Sequence, residues 1–166
     1  MASRPTGRAP TTIEVRVSAR TRSPLSRSEA GRLARAVLRA ERVRRAMVSI
    51  AFVGPARIRT LNRTHLGHDR PTDVIAFTLQ AGTGTRAHRG TGKLDRLVVG
   101  DVYICAGVAA AQARRFKTTV RQELRRLVVH GVLHVLGYDH PAGARRTASA
   151  MWRRQEALLA RLGARR

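Results

Sequence analysis

Cysteine, lysine, acids and aromatic side chains are all scarce in this 166-residue chain, and each scarcity removes a class of explanation. Cys105 is the single cysteine, so no disulfide framework and no cysteine-rich structural zinc site can form, which fits a reducing compartment such as the cytoplasm. Cys105 is also a poor nucleophile candidate, because it ends the apolar run Val98 to Ile104, where burial as a small hydrophobe is expected. No stretch approaches the roughly 20 apolar residues of a membrane span. No basic helix carries the bulky aromatics of a membrane-surface anchor, so neither a membrane nor a disulfide partner is expected. Six aromatic residues in all are too few for an extended base-stacking platform. Met1 to Pro10 lacks the apolar core of a secretory signal and reads as a disordered segment. Residues 11–163 then form one domain, long enough for a single hydrophobic core.

Arginine is what the chain has in abundance. Only Lys93 and Lys117 share the basic charge, yet Lys and Arg together number 33 against 10 acids, for a formal net charge of +23. A genomic bias that swaps lysine for arginine conserves charge and cannot create that excess. A surface this basic points to a polyanionic partner, most often nucleic acid, and arginine pairs with phosphate through two parallel hydrogen bonds. RNA is the partner the balance favours.

The most informative segment runs from His130 to His140, His-Gly-Val-Leu-His-Val-Leu-Gly-Tyr-Asp-His, which holds three of the six histidines. Residues four apart share a helix face, so His130 and His134 can point at one ion. Gly137 lets the chain leave the helix, since glycine accepts the left-handed backbone that commonly ends one, and His140 can then come round to the same ion. Three nitrogen ligands with an open position match catalytic zinc rather than the closed four-ligand structural site. A histidine pair on an apolar helix is more often packed than ligating, but the glycine and third histidine are hard to attribute to packing. Zinc proteases use a similar spacing with glutamate after the first histidine. Here that position is Gly131, which can accept no proton, so the protease reading is weakened and any base must come from elsewhere.

These residues carry a family resemblance. The motif from His130 to His140 resembles the signature of the YbeY family of bacterial metal-dependent endoribonucleases, and two further segments agree. Leu61-Asn62 with Asp69-Arg70-Pro71-Thr72-Asp73-Val74-Ile75-Ala76-Phe77 is similar to that family's L-N … D-x-P-T-D-V-L-S-F stretch, and Gly100-Asp101-Val102-Tyr103-Ile104 to its G-D-I-x-I strand. The resemblance implies a single-strand-specific, metal-dependent endoribonuclease acting in small-subunit ribosomal RNA maturation and ribosome quality control. Its partners would be ribosomal RNA and the small ribosomal subunit, and its cofactor one divalent ion, Zn2+, held by His130, His134 and His140. One position departs. Where the family carries a tyrosine and an arginine, this chain has His65-Leu66, so Arg63 and Arg70 become the candidates for contacting RNA. Asp73 suits a hydrogen-bonding role better than that of a base, and the general base is unassigned. Two alternatives stay open: a ribosome-assembly RNA-binding factor whose metal is structural, and a zinc metalloprotease-like hydrolase.

Patterning predicts an α+β fold of about four strands packed against helices, with the metal-bearing helix in the interior. The resemblance implies the mixed sheet. Ile13 to Val17 alternates as a strand. Leu25 with Ser26 and Glu29 reads as a staple and capping box, opening a helix to about Ala46. Met47 to Val53, Val74 to Leu79 and Leu97 to Ile104 read as strands, and Pro55 to Leu66 and Ala106 to Phe116 as helices. Ala81 to Lys93 reads as a mobile loop whose Arg86 and Arg89 can close over substrate. Thr119 and Gln122 cap the metal helix, with Glu123 placed by the helix dipole and Arg125 and Arg126 on its basic surface. Ala144 to Leu162 reads as one closing helix, with Trp152 a packing anchor. Asp139 orients a ligand or serves as a turn residue, and His65, His68 and His88 read as solvated.

Overall fold

A computed structural model describes residues 11–80, 97–141 and 143–163. The segments read as a disordered start and as the mobile loop with Arg86, His88 and Arg89 lie outside these. Strands β1 (Thr12–Ala19), β2 (Arg45–Val53), β3 (Val74–Gln80) and β4 (Leu97–Cys105) form one sheet in the order β1-β2-β4-β3. β1, β2 and β4 run parallel, with Val15 beside Val48 and Ile50 beside Val102, while β3 is antiparallel to β4. Helices α1 (Arg27–Ala40), α2 (Pro55–Leu66), α3 (Ala106–Arg115), α4 (Val120–Val135) and α5 (Ala150–Gly163) complete the fold, with a short 3-10 turn over Gly143–Ala148. The α+β architecture with a mixed four-stranded sheet is the one expected.

Side chains alternate across the sheet, and both faces are used. Val48, Ile50, Phe52, Val102 and Ile104 pack on one face with Leu33, Val37 and Leu38 of α1 and Leu124, Leu127, Val128 and Leu133 of α4. The other face takes Ile58 and Leu61 of α2 against Val53, Ile75 and Cys105. Cys105 is fully buried there. Helix α4 is apolar around most of its circumference, which suits a helix enclosed on several sides. It lies between the sheet, α1, α3 and α5, so its last two turns deliver side chains to a fixed place.

Two boundaries differ from expectation. Helix α1 ends at Ala40 rather than near Ala46, because Arg42 turns to a positive φ of 59° and the Val43 N–H closes on the Leu38 carbonyl at 2.9 Å. Ala46 then joins β2 beside Ile13 and Val98, fully buried. The closing helix starts six residues late, after the 3-10 turn, where the Ser149 hydroxyl accepts from the Trp152 N–H at 3.1 Å. The α1 cap is also half of the expected box. Ser26 accepts from the Glu29 N–H at 3.1 Å, but the Glu29 carboxylate reaches across to Arg121 and Arg125 of α4, both at 2.8 Å. Two guanidiniums outcompete one backbone N–H, since charge-assisted bonds are the stronger.

Candidate metal centre and cleft

The helix carrying the histidines is well fixed at both ends. At its start Thr119 and Gln122 make the full reciprocal capping box. At its end Gly137 adopts φ +87° and donates to the His134 carbonyl at 2.9 Å, while the Tyr138 N–H reaches Leu133 at 3.0 Å. This reversal of the chain brings His140 back over the helix. The His130 Nε2 atom lies 3.1 Å from Nε2 of His134 and 3.3 Å from Nε2 of His140. Donor nitrogens about 2.0–2.1 Å from a tetrahedral ion sit roughly 3.3 Å apart, so the spacing fits a single ion.

The far sides of the rings decide which nitrogen faces inward. His130 Nδ1 donates to Gln155 Oε1 at 2.8 Å, and Gln155 is oriented in turn by its own Nε2 donating to Glu156 at 3.1 Å. His140 Nδ1 donates to the Pro141 carbonyl at 3.1 Å. Both acceptors have only lone pairs to offer, so the protons of His130 and His140 sit on Nδ1 and their Nε2 atoms present lone pairs toward Nε2 of His134. Lone pairs this close repel unless a cation lies between them. His130, His134 and His140 therefore form a donor set that can hold a metal ion. Burial, reinforced by the neighbouring His134, pushes the His130 imidazole down to about 4, and burial lowers His134 as well. Both rings are thus held in the neutral form that a metal requires.

Gly131, where the protease pattern would need glutamate, faces Val102 of β4. A Cβ there would lie 2.4 Å from Val102 Cγ1, so the position admits no side chain without moving the sheet. Tyr138 has a tertiary role: its hydroxyl donates to Glu41 at 2.7 Å, and Glu41 also takes the Arg154 Nε at 2.6 Å, joining the end of α1 to α5. Burial and Glu41 push the Tyr138 phenol up to about 12. Asp139 accepts from the His140 N–H at 2.7 Å. It fixes the turn, and the ring of His130 is oriented by Gln155 instead.

The histidines open into a cleft of about 290 Å3 lined also by Leu66, Asp73, Val74, Ile75, Ala76 and Arg126. Asp73 serves as a hydrogen-bonding hub, accepting from Thr72 Oγ1 at 3.0 Å, the Val74 N–H at 2.9 Å and Gln112 Nε2 at 3.1 Å. Buried Asn62 donates to the Arg70 carbonyl at 2.8 Å, pinning the segment that leads into Pro71-Thr72-Asp73. Leu66, half-exposed on the cleft wall, leaves that wall apolar where the resemblance would place an arginine. Arg63 and Arg70 are exposed and outside the cleft lining, with Arg63 3.9 Å from Asp69, which is clamped by Arg59 at 2.8 Å. His65 packs edge-on against Phe77 at 4.9 Å, and both it and His68 are exposed.

Two residues of this site escape sequence reasoning. Arg126 was expected on the basic surface, yet its side chain is only 16% exposed and lines the cleft. Its alignment with His130 and His134 at steps of four is the signal that could have found it. Gln155 is fully buried on the apolar stripe Met151, Gln155, Leu158 of α5. A lone amide on such a stripe needs a buried partner, and that is its signal.

Residues 16–163 match the family described as Endoribonuclease YbeY. A curated Endoribonuclease YbeY of Moorella thermoacetica is 44% identical over 122 residues, covering 73% of this chain and 76% of the relative. That of Pelotomaculum thermopropionicum is 41% identical over 132 residues, covering 79% and 82%. A solution structure from Thermotoga maritima shares the fold with a TM-score of 0.58 at 23% identity, over 90% of this chain and 92% of that one. With three converging imidazoles beside a cleft and relatives of this likeness over most of its length, the chain belongs to the Endoribonuclease YbeY family.

Proposed function

We propose that this protein is a metal-dependent endoribonuclease that cuts single-stranded RNA, and that its substrate is ribosomal RNA during small-subunit maturation and quality control. The observation that carries the reading is the convergence of His130, His134 and His140 on one point, with the far nitrogens of His130 and His140 committed as donors. When bound there, a divalent ion, zinc in this reading, would supply Lewis-acid charge beside the phosphodiester. The chain's own residues do the rest. Gln155 and the Pro141 carbonyl hold the imidazoles in register. The cleft presents an apolar wall at Leu66 and Val74 to Ala76 beside the histidines, against which a nucleotide can pack. Arg63 and Arg70, exposed on the segment beside the cleft, steer RNA by charge, as does the net +23 of the whole chain. Cytoplasmic ribosome assembly is the setting this implies. A protease role has no support, because Gly131 cannot carry the glutamate that role requires.

The test is cleavage of sequence-matched single-stranded and duplex RNA by untagged protein, with and without chelator, beside His134→Ala purified in parallel. Cleavage by the wild type alone, favouring single strands and restored by metal after chelation, supports the reading. Two proteins that bind RNA equally and cut neither substrate would support an assembly factor with a structural metal instead.

A further inference from the structure

Among the described residues that line the cleft, Arg126 alone carries a permanent positive charge. It precedes His130 by four residues on α4, so its side chain shares the face of His130 and His134, about one turn away and roughly 5–6 Å between Cβ atoms. Its guanidinium is oriented from behind. Nε donates to Glu123 Oε2 at 2.9 Å and Nη2 to Glu123 Oε1 at 2.5 Å, with Asp73 Oδ2 3.9 Å from Nη2. Burial works against this charge, but the hydrogen bond to Glu123 and the charges of Glu123, Asp73 and Glu156 raise it above the ordinary arginine value. Nη1 donates to no group among the described residues, and it is not sealed from solvent. Its two N–H groups therefore have no partner among the described residues, on a side chain that lines the cleft. Asp73 approaches the guanidinium on the Nη2 side, with its Oδ2, which also accepts from Gln112, 3.9 Å from Nη2. A guanidinium locked along one edge and open along the other is prepared to receive an oxyanion without reorganising.

We propose that Arg126 binds a nonbridging oxygen of the scissile phosphate, supplying the guanidinium that the cleft wall at Leu66 does not. The proposal rests on the endoribonuclease reading. It gives Glu123 the role of a positioning residue that acts through Arg126.

Arg126→Ala and Arg126→Lys are compared with the wild type for metal content, for cleavage, and for binding of a single-stranded oligoribonucleotide in chelator, where nothing is cut. Arg126→Ala is expected to keep its metal and lose about 10²–10³ in kcat, with Arg126→Lys in between. In chelator its binding weakens and the salt dependence falls by about one phosphate contact. If Arg126→Ala leaves Glu123 unpaired and fails to fold, the neutral double variant Glu123→Gln with Arg126→Gln takes its place, and the same losses are expected. Cleavage and binding within about twofold of the wild type in either folded variant would overturn the proposal. A wild type that binds RNA but cuts none sinks the endoribonuclease reading, while the binding comparison still decides whether Arg126 holds a phosphate.

Discussion

Gln155 does its work at the distance of a single hydrogen bond, by holding the Nδ1 proton of His130 and so fixing which nitrogen is left to face a metal ion. Residues that orient a metal-bound histidine in this way typically contribute 10–100-fold to affinity. Gln155→Leu should therefore weaken metal binding by about that factor while the fold is kept, as measured by competition against a chromophoric chelator. Gly131 makes a steric prediction. Gly131→Ala places a methyl 2.4 Å from Val102 Cγ1 and should cost about 1–3 kcal/mol in urea unfolding, most of it recovered by Val102→Ala in the same chain. At this scale the three histidines were legible because their geometry is local: a helical step of four, a glycine that turns the chain, and a return. Arg126 was read as a surface residue and Gln155 was not read at all, because what they touch is decided by packing between α3, α4, α5 and β3.

At the scale of elements, α1 and α4 are joined by Glu29, which sits 2.8 Å from both Arg121 and Arg125. Burial opposes its ionisation, but the hydrogen bonds from the two arginines outweigh that and hold its carboxyl below the ordinary 4.5. A carboxylate whose value is lowered by folding adds stability above its unfolded value and loses it as pH falls through the folded one. Glu29→Gln should thus cost about 1 kcal/mol at neutral pH, and the gap to the wild type should close as pH falls below 4.5. Unfolding curves at a series of pH values check both halves. The same reasoning, with the same sign, applies to His130 in metal-free protein. Its value drops from 6.5 to about 4, so the unfolded chain takes up a proton first and stability declines as pH falls across that interval. The elements themselves were largely legible. Alternation gave the strands and capping residues gave α1 and α4, whereas the end of α1 was hidden because a non-glycine residue, Arg42, makes the left-handed turn.

The whole molecule couples a strongly basic chain to one small cleft. At +23 the long-range field should dominate encounter with RNA. Binding of a single strand should then fall steeply with salt, with a slope of about −0.7 for each phosphate neutralised. A filter-binding series in chelator reads that slope, and salt-independent binding would mean that the charge serves another end. The sheet order was out of reach of periodicity, because strand alternation says which face is buried and nothing of which strands are neighbours. The family resemblance implied a mixed sheet, which the fold bears out, but the strand order itself was read only from the structure.

The central claim is that one divalent ion held by His130, His134 and His140 is what makes this chain cut RNA. It is tested most directly by adding zinc stepwise to metal-free protein and measuring, in the same samples, metal bound per chain and single-stranded RNA cleaved. The account predicts that cleavage rises in proportion to occupancy and saturates at one ion per chain, and that His134→Ala neither binds tightly nor cuts. Cleavage by the metal-free protein, or full occupancy with no cleavage under zinc or any other divalent ion tried, would contradict it.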